Sequence, residues 1–229
     1  MRKDKKWLLF IFVLPSLLCF VFYFLFIRNP ITKSGKAIFK PLAYFGPKQV
    51  NPNSPKDTIY FRCETKEAIT QSGNKLDTSF FTSNIVLYSF MDINDMLVTP
   101  KVMAQLYACI DKVKHLKSFR FVSVNLNSDM QDLTDTKALA NKVHADETKW
   151  LFINLKSEKL NNYINRNFWL FNDSSKADLN EIAHTLFLVD KEQHVRGIYD
   201  ATYVTDVKRM CDEAVVLESE YRFRKKNNK

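Results

Sequence analysis

Between Ile85 and Pro100 the chain reads Ile-Val-Leu-Tyr-Ser-Phe-Met-Asp-Ile-Asn-Asp-Met-Leu-Val-Thr-Pro, an apolar run that opens into a polar loop holding two methionines and two aspartates. Thioethers such as those of Met91 and Met96 are soft ligands that accept copper(I). Carboxylates such as Asp92 and Asp95 suit harder cations or a proton-passing pair. Both pairs also have a plainer reading, which we prefer. Methionine fills irregular gaps in cores, and acidic residues ahead of a helix form turns and complement its dipole. No cysteine lies in the loop. Cys19, Cys63, Cys109 and Cys211 stand elsewhere, with no Cys-x-x-Cys or zinc-type spacing between them. Cys109 and Cys211 read as small buried hydrophobes, and a disulfide from Cys63 to either of their helices stays open. His115, His144 and His194 have no ligand spacing. Four glycines in 229 residues leave little scope for phosphate-cradling loops, and no P-loop, dinucleotide motif or nucleophile elbow is present.

The elements that must carry this loop follow from hydrophobic period. Ile85 to Phe90 is a buried strand, Thr99 suits an N-cap and Pro100 the first helical turn. Val102, Met103, Leu106, Cys109, Ile110 and Val113 then form one apolar stripe at helical spacing. Phe119 to Leu126 reads as a second strand, which completes a βαβ unit. Beyond it we expect a helix near Thr134 to His144, a strand at Trp150 to Asn154 and a helix near Ser157 to Asn165. A hairpin of Thr185 to Asp190 with Val195 to Asp200 follows, then a helix with Val204, Val207, Cys211, Ala214, Leu217 and Tyr221 on one face. A strand pair, Thr58 to Arg62 with Glu67 to Thr70 and a turn at Ser72-Gly73-Asn74, is expected before the first unit. The layout, βαβ followed by ββα, is an α/β, thioredoxin-like one. In such domains the strand-loop-helix junction holds the reactive thiols.

The chain resembles the SCO/SenC family, membrane-anchored thioredoxin-fold proteins associated with copper delivery to cytochrome c oxidase, in versions like those of Bacteroidetes-type bacteria. The resemblance covers roughly Pro41 to Leu217. It is carried by Pro41-Leu42-Ala43-Tyr44-Phe45-Gly46-Pro47, by Phe121-Val122-Ser123-Val124-Asn125 with Asp129 after it, by Trp150 and its strand, and by Ala183-His184-Thr185-Leu186-Phe187-Leu188-Val189-Asp190. It implies a copper site of two cysteines in Cys-x-x-x-Cys spacing and one histidine. Aligned on Tyr88-Ser89-Phe90, the cysteine positions fall on Ile93 and Leu97, and only His184 matches. Soft thiolates hold copper(I) in such a site and supply any dithiol couple, and neither isoleucine nor leucine does either. We therefore expect the family's fold without its thiol or copper chemistry, and no catalytic activity. The expected role is binding or assembly near oxidase biogenesis, with a partner held beside Asp92 to Val98. The alternative is a copper chaperone using Met91, Met96 and His184.

The N-terminus sets the location. Trp7 to Ile27 is an apolar run of 21 residues; at about 1.5 Å per residue it reaches about 31 Å, enough to span a hydrocarbon core. No small-x-small cleavage site follows it. Arg2, Lys3, Lys5 and Lys6 crowd the N-terminal flank, which favours a single-pass inner-membrane protein with its domain in the periplasm. The net charge of +9 is concentrated at the two ends, +3 in residues 1–6 and +5 in residues 222–229. The domain between is nearly neutral and offers no nucleic-acid face. The organisation expected is thus a basic flank (1–6), a transmembrane helix (7–27), a tether (28–56), a thioredoxin-like domain (57–221) and a solvated, disordered basic tail (222–229), for which contact with anionic lipid is the sharper alternative.

Overall fold

The stretch Ile85–Met91 is buried at every residue, as an apolar run without polar alternation must be, and it forms the centre of a six-stranded sheet. The computed structural model describes residues 14–21, 41–52, 54–64, 68–127, 133–155, 157–168 and 182–227. In chain order the elements are β1 (Lys48–Asn51), β2 (Ser54–Tyr60), β3 (Ile69–Thr70), β4 (Ile85–Met91), α1 (Thr99–Val113), β5 (Phe119–Asn125), α2 (Thr134–Lys142), β6 (Trp150–Asn154), α3 (Ser157–Phe168), β7 (Thr185–Val189), β8 (Val195–Asp200) and α4 (Val204–Asn227). The sheet order is β3-β6-β5-β4-β7-β8; β4, β5 and β6 run parallel, and β3, β7 and β8 pair antiparallel to their neighbours.

Strand alternation divides the core into two layers. Ile85 and Leu87 of β4 face α1 and α4, meeting Val102, Leu106, Met210, Ala214 and Leu217. Val86, Tyr88 and Phe90 face the other way, onto Leu160, Ile164 and Phe168 of α3. Register across the three parallel strands places Ser89 opposite Ser123. Their hydroxyls pair at 2.8 Å, and Trp150 Nε1 donates to Ser123 Oγ at 2.8 Å. A one-residue slip would strand this buried polar chain, so it helps fix the register.

Three sequence expectations change. β2 pairs with β1 in a separate two-stranded sheet, whereas Ile69–Thr70 pairs with β6; among the described residues the expected partnership between Thr58–Arg62 and Glu67–Thr70 is not formed. The expected turn at Ser72-Gly73-Asn74 is present, with Gly73 at φ +85 and its N–H donating to Thr70 O at 2.8 Å. Second, the compact unit begins at Pro41, inside the stretch read as tether. Phe45 N–H donates to Val195 O at 2.9 Å, and Arg196 binds the carbonyls of Leu42 and Ala43. Third, residues 222–227 continue α4 instead of forming a disordered tail. Glu218 and Glu220 lie one turn before Arg222 and Arg224 and pair with them, and cations at a helix C-terminus suit its dipole.

Met1–Lys40 is a separate unit. Of the expected span Trp7–Ile27, residues 14–21 are described; they are helical and exposed, Leu14, Leu17, Leu18 and Phe20 included. The rest of that span lies outside the described residues, among which no helix is long and apolar enough to cross a membrane.

Candidate functional site

The loop between β4 and α1 is shaped by its own carboxylates. Asp92 Oδ1 accepts from the Asn94 N–H at 2.8 Å and also from the Asn127 side chain. Asp95 Oδ1 accepts from the N–H groups of Leu97 and Val98 at 2.8 and 2.9 Å. Those bonds, from Val98 first and then Leu97, hold the Asp95 carboxyl below its usual value. Asp95 thus closes the turn just before α1, and the cap expected of Thr99 is not formed: Val98 is the N-cap and no side chain bonds there. Thr99 is the first helical residue, with its hydroxyl donating to Asp92 O, and Pro100 sits in the first turn as expected. Both aspartates act as turn formers, as preferred from sequence.

The two thioethers lie in opposite environments: Met91 is 0% exposed in the α1-side core and Met96 is 79% exposed. A shared copper(I) ion requires both sulfurs on one centre. Leu97 is 77% exposed and Ile93 is partly buried. His184 ends the segment before β7, where its carbonyl accepts from Ala201 N–H at 2.7 Å. Its Nδ1 is buried without a hydrogen-bond partner, and the ring lies near enough to Asp95 to act on that carboxyl electrostatically. The fold thus brings His184 up to the loop that carries Ile93 and Leu97. A copper site of two thiolates and an imidazole does not fit these residues, since only the imidazole is present.

Beside the loop lies a mostly apolar cavity of about 420 Å³, lined by Ile93, Met96, Met103, Tyr107, Leu139 and His144 among others. Tyr107 is 54% exposed at its edge. Clefts of about 490 and 580 Å³ open elsewhere, along α3 and at the turn of the β7–β8 hairpin, and neither touches the loop. Among the described residues, Asp190, Glu192 and His194 form a group close enough to surround a cation. Its carboxylates are already engaged, Asp190 by Arg196 and Glu192 by Tyr221, so it reads as hairpin structure.

No family model matches the chain, and no curated protein matches it. Solved structures do. The chain is similar to a SCO1/SenC family lipoprotein from Bacillus anthracis, with a TM-score of 0.57 at 20% identity over 68% of this chain and 94% of that one. The fold is that of the Sco proteins. It is also similar to copper-bound yeast Sco1, with a TM-score of 0.51 at 12% identity over 65% of this chain and 87% of that one. Copper-bound ScoI of Arabidopsis thaliana matches with a TM-score of 0.50 at 15% identity, over 68% and 96% of the two chains. At these identities the likeness establishes the Sco architecture, the setting in which Ile93, Leu97 and His184 were aligned.

Sequence reasoning missed two features of this site region. Tyr107, Leu139 and His144, from α1 and around α2, join the loop in one groove. On the far side of α1, Cys109 Sγ lies 2.7 Å from Cys211 Sγ of α4. The signal for the pair was present: each cysteine sits on the apolar stripe of a helix destined for the same sheet face. Cys63 is on the opposite face, where its thiol donates to Asn167 O at 3.3 Å, which removes the expected option of a bridge from Cys63 to those helices. Burial pushes the Cys63 thiol well above its ordinary value, with Asp190 adding to the rise.

Proposed function

We propose that this chain is a membrane-anchored Sco-fold assembly factor, with no thiol or copper chemistry at its β4–α1 loop, that binds a partner in cytochrome c oxidase biogenesis. One observation carries the reading. The two positions that would hold thiolates present hydrocarbon, Leu97 out in solvent and Ile93 on the wall of an apolar groove. Exposed apolar side chains rimming a groove suit docking better than ligation. His184 is not among the residues that line the groove, and as a lone ligand it does not make a tight copper(I) site. Anchoring rests on the apolar length of Trp7–Ile27, and a periplasmic domain rests on the N-terminal cationic cluster.

The test is genetic complementation with a biochemical readout. Loss of the gene should lower cytochrome c oxidase activity in membranes, and the wild-type chain should restore it. The Tyr107→Glu chain, which places a charge at the groove edge, should accumulate normally in the membrane fraction and fail to restore activity. Full restoration by Tyr107→Glu, or tight one-to-one copper(I) retention by the detergent-solubilised wild-type chain against a chelator, would sink the reading.

A further inference from the structure

Cys109 and Cys211 face each other across the α1–α4 contact with their sulfurs 2.7 Å apart, and they are 1% and 2% exposed. They come from positions 102 residues apart in sequence. Apolar packing surrounds them: Leu106, Val113, Val207, Met210 and Ala214 belong to the same core cluster. Neither lines the β4–α1 loop groove.

We propose that Cys109 and Cys211 form a disulfide in the mature protein, a covalent staple between α1 and α4 distinct from the lost loop site. The sulfurs need to approach by only about 0.7 Å to reach a bond of about 2.05 Å, and both side chains already converge on one point. As thiols, the pair shares one hydrogen bond, and Cys109 keeps its proton, pushed up by that bond and by burial. The bond forms by two exchanges with an oxidised protein dithiol. Cys211 thiolate attacks the donor's disulfide to give a mixed disulfide and release one donor thiol. Cys109 then loses its proton and attacks the Cys211 sulfur, releasing the second donor thiol. The pair loses two electrons and two protons in total, and the donor disulfide gains them. At 1% and 2% exposure a protein donor cannot reach either sulfur in the closed domain, so the exchange belongs to folding, before α4 settles on α1. The inference rests on the reading above that the domain faces an oxidising compartment.

The experiment uses the full chain taken directly from cells. Cells are quenched in acid, the protein is denatured in guanidinium with excess N-ethylmaleimide, and its peptides are read by mass spectrometry without reductant. The expected result is a linked pair of peptides holding Cys109 and Cys211, with neither alkylated and Cys63 fully alkylated. After reduction, both should become alkylated. Alkylation of Cys109 and Cys211 without prior reduction, or a link from either to Cys63, overturns the proposal. A refolding arm then locates the fault. Chain refolded in oxidised and reduced glutathione that does form the link shows that the geometry stands and the compartment is wrong. Chain that remains unlinked under those conditions shows that the geometry itself is wrong.

Discussion

Arg196 Nη1 donates to Asp190 Oδ2 at 3.0 Å, and both side chains are 0% exposed. The same guanidinium binds Glu220 of α4 at 3.0 Å and the Leu42 and Ala43 carbonyls at 2.8 and 3.1 Å, while its face covers the Tyr44 ring. Asp190 in turn accepts from the N–H groups of Glu192 and His194 and closes the hairpin. One buried cation thus joins the hairpin, α4 and the segment that opens the domain.

Removing that cation alone should be severe. Arg196→Met leaves Asp190 and Glu220 buried without it, and the expected loss is about 3–5 kcal/mol of folding stability. Adding Asp190→Leu should recover part of the loss by removing one uncompensated charge. Denaturant unfolding of the three proteins measures this; a single variant within 1 kcal/mol of wild type, on the order of an ordinary surface change, contradicts the assignment.

The aligned ligand positions can be tested by restoring them. Ile93→Cys with Leu97→Cys should create copper(I) binding that weakens when His184→Ala is added and is absent with either cysteine alone. Leu97→Cys, at an exposed site, should change stability by less than about 0.5 kcal/mol, and Ile93→Cys should cost about 1 kcal/mol. A folded double variant that binds no copper in a chelator competition means that the loop and His184 do not share a site.

Gly197 should not accept a methyl group. A Cβ there would collide with the Tyr199 ring, whose hydroxyl donates to Glu213 at 2.6 Å. Gly197→Ala must push the ring aside and break that bond, at a cost of about 1–3 kcal/mol. Thermal unfolding that matches wild type would mean that the ring relocates freely.

Acid stability should depend on Glu218. Burial raises its carboxyl, but hydrogen bonds from Lys191, at 2.8 Å, and Ser118, at 2.7 Å, outweigh that and leave it below its ordinary value. A folded-state value below the unfolded one means that the unfolded chain takes up the proton first as pH falls. The stabilisation is complete above the unfolded carboxyl range of about 4.3 and is lost as pH drops through the folded value. Glu218→Gln should therefore lower stability at pH 7 and flatten the decline between about pH 5 and pH 3. Parallel acid-unfolding curves for the two proteins would remove Glu218 from the acid limb.

Elements set by local pattern were legible before the structure. The apolar run at Ile85, the stripe from Val102 to Val113 and the Trp150 strand each declare themselves within one window of sequence, and they lie where expected. Features that depend on long-range meeting were not legible. The apolar stripes placed Cys109 and Cys211 on one sheet face but not at one point, and nothing near Pro41 indicates that Arg196 will hold its neighbours' carbonyls. The start of α1 fell between these cases: Pro100 sits in the first turn as its type suggests, but Thr99 is the first helical residue and its hydroxyl donates to Asp92 O instead of capping. Ile93 and Leu97 were legible as the absence of thiols, but Ile93 was not legible as the wall of a groove, because that wall also takes Tyr107, Leu139 and His144 from α1 and around α2.

The β4–α1 loop keeps its shape through Asp92, Asp95 and Thr99, and none of those bonds uses the side chain of residue 93 or 97. Shape and surface chemistry are therefore separable in this loop: the side chains at 93 and 97 decide what it presents, while the bonds that hold it are made by other groups.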